Sequence, residues 1–179
     1  MNLEQKQKMI DSAVLIPLFR DPEGTLRIVF VERSQGGIHG GQIAFPGGKR
    51  DHNDSSLLET ALRETKEEIG LEYSKIKIID QLEPVETLTT GFRIFPFLAK
   101  IEPPVEWKYC AKEIKNVITA EVKMFVNSVY HGTEFITLPG KDTSIEISFY
   151  RLENYKIWGA TYRILKPLIP QLISGKWSF

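Results

Sequence analysis

Residues Gly47 to Leu71 read GGKRDHNDSSLLETALRETKEEIGL. The two glycines follow Pro46 and predict a turn free to take positive φ, where a ligand can approach the backbone closely. A polar run then leads into a helix. Asp54 or Ser56 can serve as its N-cap, with Glu59 three positions after Ser56 completing a capping box. Gly70 marks the far end, as the residue a left-handed C-terminal cap prefers. On a 3.6-residue wheel Leu58, Ala61, Leu62, Thr65 and Ile69 form one stripe, the expected buried face.

Beside that stripe Glu64, Glu67 and Glu68 stand at i, i+3 and i+4, so their carboxylates gather on one face. Like charges at this spacing repel by about 0.2–0.5 kcal/mol per pair in an isolated helix. A hard divalent cation would turn the repulsion into attraction, and Mg²⁺ commonly uses one or two carboxylates plus substrate phosphates. Arg63 lies one turn after Glu59 and one turn before Glu67, so it can hold either carboxylate in a fixed orientation.

With these residues in place the chain resembles the Nudix hydrolases, whose signature is a Gly, an acidic residue, then R-E-x-x-E-E-x-G and an apolar residue. Arg63, Glu64, Glu67, Glu68, Gly70 and Leu71 match the second half residue by residue. Counting from Gly48, the acidic position is filled by Asp54, and one extra residue separates it from Arg63. That longer loop, with FPGGK before it and TALRETKEEIGL after it, is similar to the coenzyme A pyrophosphatase branch of the family. Glu86 to Ile101 (ETLTTGFRIFPFLAKI) and Ile157 to Leu165 (IWGATYRIL) also look like segments of that branch.

The resemblance implies an α/β fold, a Nudix-type α/β/α sandwich with a mixed sheet. It also implies Mg²⁺ or Mn²⁺ as cofactor. Glu64 and Glu68 are the principal expected metal ligands. Glu67 either joins them or orients the attacking water, Arg63 holds the glutamates, and the Gly48 carbonyl is placed to complete a coordination sphere. Arg33 and His39, with the Gly47-Gly48 turn, are the expected substrate contacts. In the branch the loop before the box resembles R-S-x-x-x-R followed by a His and a Gly. Arg33, Ser34, His39, Gly41, Gln42, Ala44 and Phe45 fit, but the second Arg is missing and the loop is one residue shorter. Family members often draw a further carboxylate from outside the box, and Glu113 is the residue placed to supply it.

The expected reaction is hydrolysis of a diphosphate bond in a nucleoside diphosphate derivative. Coenzyme A or acyl-CoA, cut to adenosine 3',5'-bisphosphate and 4'-phosphopantetheine, is the favoured substrate. ADP-ribose, dinucleotides or nucleotide sugars are the alternative that the altered loop supports. A non-catalytic ligand-sensing module on the same fold is the alternative of another class, and the intact glutamate cluster weighs against it.

At 179 residues, 42% hydrophobic and 26% charged, the chain suits one globular domain spanning its whole length. Acidic and basic residues balance at 23 each, so no basic excess argues for nucleic acid or a membrane surface. The lone Cys110 cannot form an internal disulfide, which points to a reducing, cytoplasmic setting. The apolar run Ala13 to Phe19 is broken by Pro17 and too short to span a bilayer. Trp177 and Phe179 can pack on the domain or on a partner, which leaves a homodimer open.

Along the rest of the chain, Met1 to Met9 reads as a short helical lead-in. Ser12 to Arg20 and Leu26 to Glu32 read as a hairpin, and Ser74 to Asp80 and Phe92 to Ile101 as strands. Phe95 and Phe97 take one face of the last strand, Ile94 and Leu98 the other, and Pro96 predicts an edge position or a bulge. Val105 to Cys110 is an expected edge strand, Glu121 to Tyr130 an expected helical run, and Gly132 to Asp142 an expected turn region. Ile145 to Leu152 and Tyr155 to Trp158 predict a second hairpin. A last helix starts at Gly159, with Pro167 and Pro170 expected to kink or end it.

Overall fold

In the computed structural model, which describes residues 9–35, 40–87, 89–137 and 143–179, the first hairpin forms as its sequence predicts. The strands are β1 (Ile10–Arg20) and β2 (Leu26–Arg33). Asp21 ties their turn, accepting from the Thr25 amide at 2.8 Å and from Arg27 Nε at 2.7 Å. Two short strands, β3 (Ile43–Ala44) and β4 (Gly47–Lys49), lead to the helix α1 (Leu57–Ile69). Then follow β5 (Ile76–Gln81), β6 (Val85–Glu86), β7 (Phe92–Ile101) and β8 (Ile114–Glu121). The chain closes with β9 (His131–Thr137), β10 (Ser144–Leu152), β11 (Tyr155–Ile157) and α2 (Gly159–Ile173). The expected lead-in falls on residues 1–8, outside the described ones.

Eight strands make one mixed sheet along the path β3-β2-β1-β7-β5, with β4 on β1, β6 on β7 and β8 on β2. The β1–β7 pair is parallel and the others are antiparallel. Period-2 alternation divides the side chains cleanly between two cores. Ala13, Leu15, Val29, Val31, Phe95 and Phe97 pack under α1 with Ala61 and Ile69. Ile16, Leu18, Ile28, Phe30, Ile94 and Leu98 pack on the other face with Ile164, Leu165, Leu168 and Leu172 of α2. The sheet is therefore sandwiched between helices, as expected. A separate ribbon, β11-β10-β9, stands beside it.

Several local expectations are corrected. Pro96 is in neither an edge strand nor a bulge of its own strand, since β7 is paired on both sides. Its carbonyl accepts from the Leu82 amide, and the position of its missing N–H faces the join between β5 and β6, so no ladder bond is lost. Val105 to Cys110 is irregular, not a strand. The run from Glu121 to Tyr130 is two 3-10 turns, Val122–Val126 and Ser128–Tyr130, following a strand. Gly132 to Thr137 is strand, not turn, because Thr133, Phe135, Ile136 and Thr137 are good strand formers with a partner in β10. Residues 138–142 of that expected turn lie outside the described ones.

The helix α2 runs through both prolines. Pro167 and Pro170 lie on its exposed side, so the carbonyls they leave unbonded, on Arg163 and Lys166, belong to exposed residues that water can satisfy. Burial of Leu165, Leu168, Ile169 and Leu172 on the opposite side holds the helix together. Neighbouring substitutions in α2 should therefore act with opposite sign. Leu168→Ala is expected to destabilise by about 2–5 kcal/mol. Pro167→Ala, which restores an N–H donor on the wet face, is expected to stabilise by about 1–3 kcal/mol. Urea unfolding of the two variants checks both.

Candidate active site

Ser56 is the N-cap of α1, its hydroxyl accepting from the Glu59 amide at 3.1 Å. Glu59 reaches back to Ser55, accepting from its amide at 2.6 Å and from its hydroxyl, so the box closes one residue earlier than expected. Gly70 ends the helix at φ 68°, its amide donating to the Lys66 carbonyl. The buried stripe is rotated from the expected one. Thr60, Ala61, Thr65, Glu68 and Ile69 are buried, while Leu58 and Leu62 are only half-buried.

Asp54 is not the cap. Its buried carboxylate accepts from Arg63 Nε at 2.8 Å and Nη2 at 2.9 Å, from Thr60 Oγ1 at 2.8 Å and from the Asp51 amide at 2.9 Å. The Arg63 fork holds its carboxyl well below the usual range against the opposing effect of burial. Clamped there, Arg63 turns Nη1 toward Glu64 Oε1 at 2.9 Å and Glu67 Oε2 at 3.1 Å.

The three glutamates sit in different environments. Side-chain exposure falls from 58% at Glu67 to 17% at Glu64 and 1% at Glu68. Glu68 Oε2 accepts from the Gly47 amide at 2.9 Å, and Oε1 from Arg33 Nη1 at 3.3 Å. Burial pushes Glu68 up to about 7, against the pull of the Gly47 amide and Arg33 and with the repulsion of Glu64 and Glu113. Burial also raises Glu64, opposed by Arg63 and reinforced by Glu67 and Glu113. Glu113 thus acts on both carboxylates from outside the helix. Its backbone is fixed nearby, with the carbonyl accepting from the Ser34 amide at 2.8 Å, while the neighbouring Cys110 amide donates to the Glu68 carbonyl at 3.0 Å.

The glycine pair makes the room. Gly47 pairs with Val14 at φ 147°, and a Cβ there would lie 2.2 Å from the Ala13 carbonyl oxygen. A Cβ on Gly48 would lie 2.4 Å from Glu64 Cδ. Among the described residues no three acidic, His or Cys groups converge as a closed metal site. The carboxylates lean instead on Arg63 and Arg33. The donor set nonetheless fits a divalent cation. Two desolvated carboxylates stay raised by burial and by neighbouring acids in spite of Arg63 and Arg33, and they face a glycine backbone with no side chain in the way.

Arg33, Gly47, Gly48 and Lys49 also line a cavity of about 500 Å³, together with Ile136, Ile145, Ile147 and Trp158. A polar depression beside it is lined by Lys49, Arg50, Asp51, His52, Arg63 and Glu64. The structure therefore brings Arg33, Gly47, Gly48, Arg63, Glu64, Glu67 and Glu68 together. His39 lies outside the described residues. Sequence reasoning missed Asp54 as the anchor of Arg63, legible only as an acid near a basic helix residue, and it missed the isoleucine wall. The terminal aromatics pack on the domain, with Trp177 Nε1 donating to Asp80 Oδ2 at 3.1 Å.

The NUDIX domain profile matches residues 9–122. A protein of Salmonella paratyphi B, the uncharacterized Nudix hydrolase NudL, is 33% identical over 175 residues, covering 95% of this chain and 84% of that protein. A MutT/nudix family protein from Enterococcus faecalis superposes with a TM-score of 0.62 at 20% identity, over 97% of this chain and 66% of that one. A C. elegans Ap4A hydrolase in a binary complex does so with a TM-score of 0.54 at 20% identity, over 65% of this chain and 83% of that one. The chain belongs to the Nudix hydrolase family. It is a pyrophosphohydrolase of a class that generally uses divalent metal ions and acts on small-molecule diphosphates. Among the described residues no helix is long and apolar enough to cross a membrane.

Glu68 ties the site to stability. Because its folded pKa is raised from 4.5 to about 7, the stability it contributes is full below pH 4.5 and is lost as pH rises through about 7. Glu68→Gln keeps an acceptor for the Gly47 amide and has no charge to bury. In chelator-treated protein at pH 8 it is expected to exceed wild type by up to about 3 kcal/mol, with the gap closing toward pH 4.5, as read by urea unfolding across pH.

Proposed function

We propose that the enzyme is a Mg²⁺- or Mn²⁺-dependent hydrolase of coenzyme A or acyl-CoA, releasing adenosine 3',5'-bisphosphate and (acyl-)4'-phosphopantetheine. One observation carries the chemistry: two desolvated glutamates on one helix face meet a side-chain-free glycine turn that also lines a large cavity. The coenzyme A assignment is supported by the resemblance of FPGGK, TALRETKEEIGL and the two downstream segments to that branch. A broader diphosphate preference, for ADP-ribose, dinucleotides or nucleotide sugars, is the second reading, favoured by the missing second Arg in the loop from Arg33 to Gly41.

Glu64 and Glu68 would hold the ion, and the Gly48 carbonyl would complete its ligands. When bound, such an ion neutralises phosphate charge and makes water a better nucleophile. Arg63, fixed by Asp54, keeps Glu64 and Glu67 aimed. Glu67, the most exposed of the three, orients the attacking water. Arg33 and the Gly47-Gly48 backbone receive the diphosphate in the cavity that they line. Water oxygen bonds to one phosphorus, the bridging P–O bond breaks, and its electron pair leaves with the other phosphate.

Mass-spectrometric product analysis of an equimolar mixture of coenzyme A, ADP-ribose, NADH and a nucleotide sugar with Mg²⁺ tests the reading. Release of 4'-phosphopantetheine ahead of other products is expected; cleavage of the others with coenzyme A untouched selects the second reading. Glu64→Gln and Glu68→Gln should each lower kcat by about 100-fold or more, and Arg63→Ala by about 10- to 100-fold. Wild-type rates in either glutamine variant would remove the metal assignment.

A further inference from the structure

The cavity has a wall that the diphosphate chemistry does not use. Ile136 of β9 and Ile145 of β10 are direct cross-strand partners, and Ile147 follows on the same face of β10. All three are half-buried, and all three line the cavity that Arg33, Gly47 and Gly48 also line. None belongs to either hydrophobic core, and neither does Trp158, which lines the same cavity. Three half-buried branched aliphatic side chains on one ribbon face, lining the same cavity as Arg33 and the Gly47-Gly48 turn, are positioned to contact a ligand.

The chemistry of the wall selects the occupant. Open aromatic faces suit a nucleobase, and Phe92 and Trp158, half-buried in the lining, are the aromatic side chains placed to offer one, while Phe45 is buried and stacked on Phe30 at 5.0 Å between ring centroids. Branched aliphatic groups instead favour a flexible hydrocarbon chain, which gains by leaving water in proportion to its apolar area. The volume, about 500 Å³, lies within the range of cavities that enclose an organic ligand of some size.

We infer that Ile136, Ile145 and Ile147 form a specificity site for an aliphatic chain carried on the non-nucleoside side of the diphosphate. This rests on the hydrolase reading above, with the glutamates and the Gly47-Gly48 turn holding the reacting phosphates, but not on coenzyme A as the substrate. Threonine keeps the β-branching that a strand prefers while replacing hydrocarbon with a hydroxyl, so Ile136→Thr/Ile147→Thr tests the wall with the ribbon retained.

The experiment measures kcat/KM with Mg²⁺ for the methyl and octyl esters of ADP, each cut to AMP and an alkyl phosphate, alongside coenzyme A and octanoyl-CoA. Wild type is expected to prefer the octyl ester by about 10-fold or more. In the double variant the octyl-to-methyl ratio should fall toward one, through KM. A flat wild-type series, a ratio unchanged in the variant, or no turnover of either ester overturns the aliphatic site. Octyl preference with both coenzyme A compounds untouched upholds the aliphatic site and rejects the coenzyme A reading. Coenzyme A turnover with no chain-length effect does the reverse.

Discussion

A carboxylate buried on the inward face of a helix is the constraint around which the surrounding structure is arranged. Glu68 is 1% exposed, and an ionised group so placed is tolerated only with hydrogen bonds and opposite charge close by. Each requirement reaches into another element. The Gly47 amide can approach only if β4 runs tight against β1, which excludes a Cβ at position 47. Arg33 must end β2 where that strand breaks register with β8. The Cys110 segment must close over the end of α1. Even so the burial is incompletely offset, since the group stays raised. An apolar residue would suit the position better as a piece of core, so the carboxylate is retained at some loss of stability, a pattern characteristic of functional sites.

Arg63 solves a different problem. Three acidic groups on one helix face repel, and a flexible cation would follow whichever was nearest. Asp54 removes that freedom by taking both Nε and Nη2, which leaves Nη1 pointing at Glu64 and Glu67. A lysine has no second and third nitrogen in fixed geometry with which to do this. The clamp also explains how the extra residue between Asp54 and Arg63 is tolerated. Asp54 sits two residues ahead of the N-cap, so the added length is taken up in the Ser55-Ser56 link and the turn from Asp51, where the Asp54 amide donates to the Asp51 carbonyl. The helical register of Arg63, Glu64, Glu67 and Glu68 is untouched by it.

What was legible in the sequence was whatever local periodicity dictates. Alternation in Phe92 to Ile101 predicts which side chains face which core, and both cores bear it out. The i, i+3, i+4 spacing places the glutamates on one helix. What was hidden depends on distant partners. Pro96 reads as an edge residue until the gap between β5 and β6 is known. Pro167 and Pro170 read as a helix end until the buried leucines between and around them have a sheet to pack on. Glu68 reads as lying beside the buried stripe, not in it, until Gly47 and Arg33 close over it, because a wheel assigns a face without assigning its neighbour. Gly132 to Thr137 reads as turn because its strand character needs β10 beside it.

The hydrolytic residues and the isoleucine wall have separate origins in the chain. The glutamates, the glycine turn, Asp54, Arg63 and Arg33 all fall within residues 9–122, the span that the family profile covers. The isoleucine wall and Trp158 come from β9, β10 and the approach to α2, beyond that span. Membership of the family is therefore informative about bond breaking and silent about the group attached to the phosphates. The separation is also mechanical. The wall stands on a three-stranded ribbon with its own hydrogen-bond ladder, while the glutamates stand on a helix braced by the eight-stranded sheet. Ile136, Ile145 and Ile147, outside both cores, can change without disturbing the register of the charged helix. Substrate choice in this architecture is free to drift while the hydrolytic site stays constrained by the burial of one carboxylate.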